Sequence, residues 1–300
     1  MTTLVGVVGG LSVDHIVRVG RPAHYDRLGG PGLYAALGAR LVAGTRARLR
    51  CELPDSVQEF AETLTAADVD LSACTPVPDP VRVWLLDSPQ GRRVVTTAPP
   101  PGMEIAEADD TVSAPGPIPP GFFTGLDGLL FCSPAQLDRR YDERTVVGVD
   151  PDQSQVSKLG WAYWEAISVA SGVLLPSRVQ LAALHPEPRV AARRLAVRLN
   201  LAVVARLDAE GAYVADPAGP SWTVRDSAIG GDDIIDTTGA GDTMAGATVA
   251  ALAAGADVAE ATAYGVSAAR IVLSGVGHRA LPGHTPLTAP LPGVTITKEG

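Results

Sequence analysis

Three hundred residues suffice for about two ordinary domains or one large one, and 46% hydrophobic with 19% charged residues describes a chain able to bury a sizeable core. Its 32 Gly and 25 Pro stay below a low-complexity composition, so the chain is expected to fold alone. A net charge of −9 with no block of like charge argues against nucleic acid or an anionic membrane surface as a partner. Only two lysines occur, Lys158 and Lys298, which leaves almost no candidate for a P-loop lysine, a protein-kinase strand lysine or a Schiff base. Cys51, Cys74 and Cys132 are odd in number, far apart along the chain and without paired spacing. That indicates neither a disulfide framework nor a cysteine metal site and fits a reduced, cytoplasmic compartment. Met1 to Asp14 carries no basic segment before its apolar run, and no uncharged stretch approaches the roughly 18 apolar residues of a membrane span, so neither a targeting signal nor a membrane anchor is expected.

In chain order, Val5 to Gly9 predicts a buried strand ending in a Gly pair, and Pro31 to Val42 predicts a helix after the turn Gly29-Gly30. Strand-like runs follow at Ala47 to Cys51, Val81 to Leu86, Arg93 to Thr97, Gly128 to Cys132, Val146 to Val149, Gly172 to Leu175 and Leu201 to Ala205. Helical segments are predicted at Ser56 to Ala66, Leu159 to Ile167, Pro188 to Leu199, Ala240 to Ala254 and Val258 to Ser274. This alternation predicts an α/β fold with a mainly parallel sheet, whose ligands gather beyond the carboxyl ends of the strands. Two stretches break it. Val81 to Thr97 reads as a hairpin turning at Ser88-Pro89-Gln90-Gly91, and Pro99 to Pro120, rich in Pro, Gly and acids, reads as an extended surface connection. There is no internal repeat, and residues 1–300 are expected to form one large domain with a small appended β element.

The segment richest in chemistry is Asp236-Thr237-Thr238-Gly239-Ala240-Gly241-Asp242-Thr243, which opens an alanine-rich helix. The first amides of a helix lack intrahelical partners, the dipole favours anions there, and Gly lets the backbone approach a phosphate closely. An acid in the same turn serves either as a cap and dipole partner or as a base beside a transferring phosphoryl group. The residues alone leave both roles open.

This segment resembles the signature of the ribokinase-like, or PfkB, family of carbohydrate kinases, Asp-Thr-x-Gly-Ala-Gly-Asp, and matches it at Asp236, Thr237, Gly239, Ala240, Gly241 and Asp242. The resemblance implies a three-layer α/β/α fold with a mainly parallel central sheet and a small β lid, here from about residues 12–30 and 80–100. It implies phosphoryl transfer from ATP to a hydroxyl of a sugar, nucleoside or related small molecule, with Mg2+ as cofactor. Asp242 would be the general base, and the amides of Gly239, Ala240 and Gly241 would stabilise the charge that builds on the phosphoryl group. Val5 to Asp14 resembles the family's first strand with its trailing sugar-binding Asp, so Asp14, with Gly29, Gly30 and Tyr34 of the di-glycine turn and its helix, would hold the acceptor. Val146 to Asp150-Pro151 resembles the strand ending in Asp-Pro. Leu201 to Gly211 resembles the strand and turn that line the nucleotide phosphates, which assigns Arg206, Asp208, Gly211 and Thr238 to the nucleotide. Dimers joined through the lid are a further implication.

Several positions depart from the pattern. The metal motif that follows Val173-Leu174-Leu175-Pro176 reads Ser177-Arg178-Val179-Gln180, so Gln180 offers a neutral amide where the family has a Glu. Asp208 replaces the first Gly of the phosphate turn, where it either faces phosphates and repels them or points outward as a cap. Tyr34 replaces a sugar-binding Asn and has two readings, stacking on a ring-bearing acceptor or core packing. His15 and Arg18 lie just beyond Asp14, with only that proximity to recommend them. Together these departures describe a specialised kinase, or alternatively a protein of the same fold that binds nucleotide or sugar without efficient phosphotransfer.

Overall fold

The computed structural model describes residues 2–88, 91–97, 116–169 and 172–299. Its strands are β1 (Thr3–Val8), β2 (Ser12–Arg18), β3 (His24–Gly29), β4 (Thr45–Arg50), β5 (Glu52–Pro54), β6 (Val69–Asp70), β7 (Thr75–Val77), β8 (Val81–Ser88), β9 (Gly91–Thr97), β10 (Gly128–Cys132), β11 (Val146–Asp150), β12 (Gly172–Leu174), β13 (Ala202–Arg206), β14 (Ala212–Ala215), β15 (Ser221–Asp226) and β16 (Val294–Glu299). The helices are α1 (Pro31–Arg40), α2 (Glu59–Ala66), α3 (Gln153–Leu159), α4 (Trp161–Ala166), α5 (Arg178–Ala182), α6 (Pro188–Leu199), α7 (Ala240–Ala253) and α8 (Val258–Leu273).

The main sheet runs β16-β15-β14-β13-β12-β11-β10-β1-β4-β6, parallel from β13 to β6 and antiparallel from β13 to β16. Its central strands are continuous apolar runs because both faces are covered, as Gly128–Cys132, buried throughout, illustrates. One apolar core joins the sheet to α1, α2, α7 and α8, and a second joins the opposite face to α3, α4, α5 and α6, giving three layers. The helix predicted from Leu159 to Ile167 is α4, a further short helix, α3, precedes it across Gly160, and the strands β14 to β16 were not anticipated.

Residues 12–18, 24–29, 81–88 and 91–97 form a separate four-stranded sheet, β3-β2-β8-β9. The predicted hairpin is β8–β9. Its turn at Pro89 and Gln90, and most of the stretch Pro99 to Pro120, lie outside the described residues. Strand pairing β5–β7 brings Cys51 and Cys74 together as free thiols, Sγ to Sγ 3.4 Å, a contact that their distance along the chain does not reveal. No helix among the described residues is long and apolar enough to cross a membrane.

Helix α7 is built almost entirely of small residues, and most of its length is buried, lodged between α1, α8 and the sheet. Its approach to α1 is set by Gly246, where an added Cβ would strike the carbonyl of Ala35. Gly246→Val is therefore expected to push α7 off α1 and cost about 1–3 kcal/mol, the range for overpacking a tight core, read as a lowered midpoint in thermal or urea unfolding.

Candidate active site

Asp236 fixes the turn that leads into α7. Its Oδ1 accepts from the Thr238 amide at 2.8 Å and its Oδ2 from the Gly277 amide at 2.9 Å, and Arg18 at the end of β2 ion-pairs with the same carboxylate. Burial opposes its ionisation, but the two amide bonds and Arg18 outweigh burial and hold the carboxyl below its usual range. Arg18 also donates to the Ile235 carbonyl at 3.0 Å and to Asp87 of β8 at 3.2 Å, so the small sheet is tied to the turn.

Beyond that anchor the chain passes Gly239 at φ 77°, a left-handed conformation, with the Tyr34 ring packed where a Cβ would stand. No side chain caps α7, and the Ala240 amide donates to the Thr237 carbonyl at 3.3 Å. Asp242 sits in that first turn and keeps a partly exposed edge. Burial pushes its carboxyl up to about 7; Asp150 and Asp14 add to the rise and Arg206 opposes it. The Cys132 thiol nearby is also driven well above its ordinary range, by burial first and then by Asp242 and Asp150.

The carboxyl ends of neighbouring strands supply the rest. Asp150 ends β11 and Arg206 ends β13, and the two meet across β12 in a two-pronged ion pair, Nη1 to Oδ2 at 2.7 Å and Nη2 to Oδ1. The Arg206 amide donates to the Pro176 carbonyl at 2.9 Å, which fixes the strand end from which the side chain rises. Gly241 lies against this guanidinium: a Cβ there would stand 2.8 Å from Arg206 Nη1.

On the far side of Asp242, Asp14 of β2 is buried and accepts from Ser12 Oγ at 2.6 Å, with Gly29 so close that a Cβ there would strike the carboxylate. Gly30 precedes α1 as its uncapped N-cap residue. Tyr34, 1% exposed, is in the core and presents no face to an acceptor here, so its packing reading describes this structure. His15 belongs to an aromatic cluster with Trp84, at 4.6 Å, and Tyr25, at 5.9 Å.

Residues 174–283 match the family model described as pfkB family carbohydrate kinase. The whole chain superposes on solved kinases. It covers 92% of itself and 95% of adenosine kinase from Sinorhizobium meliloti at 18% identity and a TM-score of 0.69. Against the probable sugar kinase protein from Rhizobium etli CFN 42 the figures are 96%, 97%, 17% and 0.72. Against ribokinase from Cryptococcus neoformans var. grubii serotype A in complex with ADP they are 94%, 97%, 17% and 0.65. No curated protein matches the sequence. The chain has the fold of these ribokinase-like kinases, and the family match is confined to its residues 174–283. At these identities the superpositions establish the fold, and the chemistry is argued from this chain's own residues.

Against the family motif, this chain departs most at the metal and phosphate turns. Gln180 is spent on structure: its Oε1 accepts from the Ser177 amide at 2.7 Å, its Nε2 donates to the Pro151 carbonyl at 2.5 Å, and its own amide donates to Ser177 Oγ at 3.3 Å, a capping box that starts α5. Both ends of the amide are engaged and neither carries charge, so in this structure Gln180 serves as a helix cap. Among the described residues no three His, Cys, Asp or Glu converge as a metal site. Asp208 adopts the left-handed conformation, φ 54°, that the family's Gly would take, and its side chain, 77% exposed, turns outward to Arg178 Nε at 3.1 Å. Gly211 closes the same turn at φ 81°. Thr238 is buried and gives its amide to Asp236. Asp150 and Gly277 escaped sequence reasoning as site residues; for Asp150 the signal was present, an acid ending a buried parallel strand at the edge where ligands gather.

A carboxyl held near 7 binds its proton more tightly folded than unfolded, so it contributes a stability loss that grows as pH rises from its unfolded value toward 7. Asp242→Asn removes that loss. The variant is expected to unfold at a higher temperature than the parent at about pH 8, by the equivalent of roughly 1–3 kcal/mol, and to lose this advantage near about pH 4, as paired calorimetric scans would register.

Proposed function

We propose that this protein transfers the terminal phosphoryl group of a nucleoside triphosphate, ATP in the first instance, to a hydroxyl of a sugar, nucleoside or related small molecule. The observation that carries the reading is Asp242: a partly exposed carboxyl with an ionisation point near 7, in the first turn of a helix that no side chain caps. In its charged form it takes the proton of the acceptor hydroxyl. That oxygen bonds to the terminal phosphorus as the bond to the bridging oxygen breaks, and the diphosphate leaves with the electron pair. The amides of Gly239, Ala240 and Gly241 lie where the transferring oxygens gather charge. Asp14 and the Gly29–Gly30 turn orient the acceptor, and the Gly211 turn carries the nucleotide phosphates. The small sheet, tethered through Arg18 to Asp236, serves as the lid that excludes water as a competing acceptor. No step is assigned to Mg2+, because Gln180 of the metal motif carries no charge and has both ends of its amide engaged.

A second reading, binding of nucleotide or sugar without efficient transfer, is favoured by one observation, the conversion of the metal-motif acid into the structural cap Gln180. Incubation with ATP, magnesium and a panel of sugars and nucleosides separates the two. Acceptor-dependent ADP release is expected, reduced at least about 100-fold by Asp242→Asn. Its kcat/KM should rise with pH up to about 7 and level off above, the acid limb following the Asp242 carboxyl. Ligand binding without turnover across the panel would favour the second reading, and full turnover by Asp242→Asn would remove Asp242 as the base.

A further inference from the structure

We infer that Arg206 is the fixed cation of the transfer site, set against the phosphoryl oxygens at the α7 turn, where the family uses a metal-motif acid that this chain has given up. The inference rests on the kinase reading above and concerns what balances charge within it. Asp150 and Asp14 both act electrostatically on Asp242 at this edge of the sheet, and a polyphosphate adds further negative charge. Phosphoryl transfer has little covalent chemistry for a protein to perform, so positive charge placed in advance beside the oxygens is its main requirement.

Few side chains are available to meet that need. Lys158 lies on α3 and Lys298 on the edge strand β16. Arg18 is spent on Asp236, Asp87 and the Ile235 carbonyl. Arg178 is spent at the surface on Asp208, Glu210 and the Leu207 carbonyl. Arg206 faces the turn itself. Its guanidinium lies on the bare backbone of Gly241, and any side chain at 241 would displace it. Its side chain is 12% exposed, so it borders the cleft rather than lying sealed beneath it. Asp150 holds two of its nitrogens in a planar fork, and its Nε is buried with no hydrogen-bond partner among the described residues.

This arrangement assigns distinct parts to the pair. Asp150, 6% exposed, is a positioning residue that keeps the guanidinium over Gly241 before nucleotide arrives. Arg206 then shares its donors between Asp150 and the phosphoryl oxygens. Arginine suits this place better than lysine, because its planar fork serves two oxyanions at once and stays charged beside them.

Calorimetric titration of ATP into the full chain in excess EDTA, without acceptor, tests the assignment. ATP is expected to bind the parent protein without metal, and Arg206→Gln is expected to weaken it about tenfold or more. AMP, which lacks the outer phosphates, should bind both proteins alike. Arg206→Lys should fall between them. Asp150→Asn, which loosens the fork but also removes a negative charge, should weaken ATP binding less than Arg206→Gln does. Thermal melts of each variant establish that it is folded. Equal ATP affinity for the parent and Arg206→Gln would overturn the inference, as would loss in Asp150→Asn equal to that in Arg206→Gln, which would make the pair purely structural. Failure of the parent to bind ATP in EDTA would also overturn it. Absence of turnover with every acceptor would count against the kinase reading alone, since this titration contains none.

Discussion

The carboxylate of Asp236 accepts two backbone amides and an arginine at once, and the geometry of the whole site follows from that anchor. By taking the amides of Thr238 and Gly277 it fixes the path of the chain into Gly239, and so decides which way the first amides of α7 point. By pairing with Arg18 it connects the same turn to β2 and, through Asp87, to β8. A buried acid without such partners would be protonated or would distort its surroundings; with them it stays charged and rigid. Rigidity is what preorganised electrostatics require, because donors that reorient during reaction return most of their advantage.

The electrostatic balance at the other end of the turn has a different character. Asp242 is raised toward 7 by burial and by neighbouring carboxylates, while Arg206 works against the rise. The opposing effects leave a group able to change its protonation near neutral pH, which a fully paired Asp236 is not. Two acids six positions apart in one motif thus have opposite behaviour. The cause is environmental: one accepts amides and an arginine directly, the other meets like charge.

Much of this was legible from residue order. The alternation of short apolar runs and longer helical segments gave the layered α/β arrangement, and several boundaries, such as Gly128–Cys132 and Pro188–Leu199, fall where periodicity and Pro placed them. The antiparallel strands β14 to β16 were missed because β14 is an apolar run of only four residues, while β15 and the edge strand β16 mix polar and apolar residues. The contact of Cys51 with Cys74 and the pairing of Asp150 with Arg206 were missed for another reason. Each joins strands that are neighbours only after the sheet is assembled, and no local pattern encodes that adjacency.

The division at the site is similarly physical. Sequence by itself determined the Gly-Ala-Gly turn, the acid after it and the departures at Gln180, Asp208 and Tyr34, because backbone conformation and helix initiation depend on residues close along the chain. What those departures mean was decided only by tertiary structure. Gln180 turned inward to cap α5, Asp208 turned outward to Arg178, and Tyr34 packed against Gly239. Side-chain direction and ionisation depend on what other segments bring within a few ångströms, and that information exists only once the strands are laid side by side.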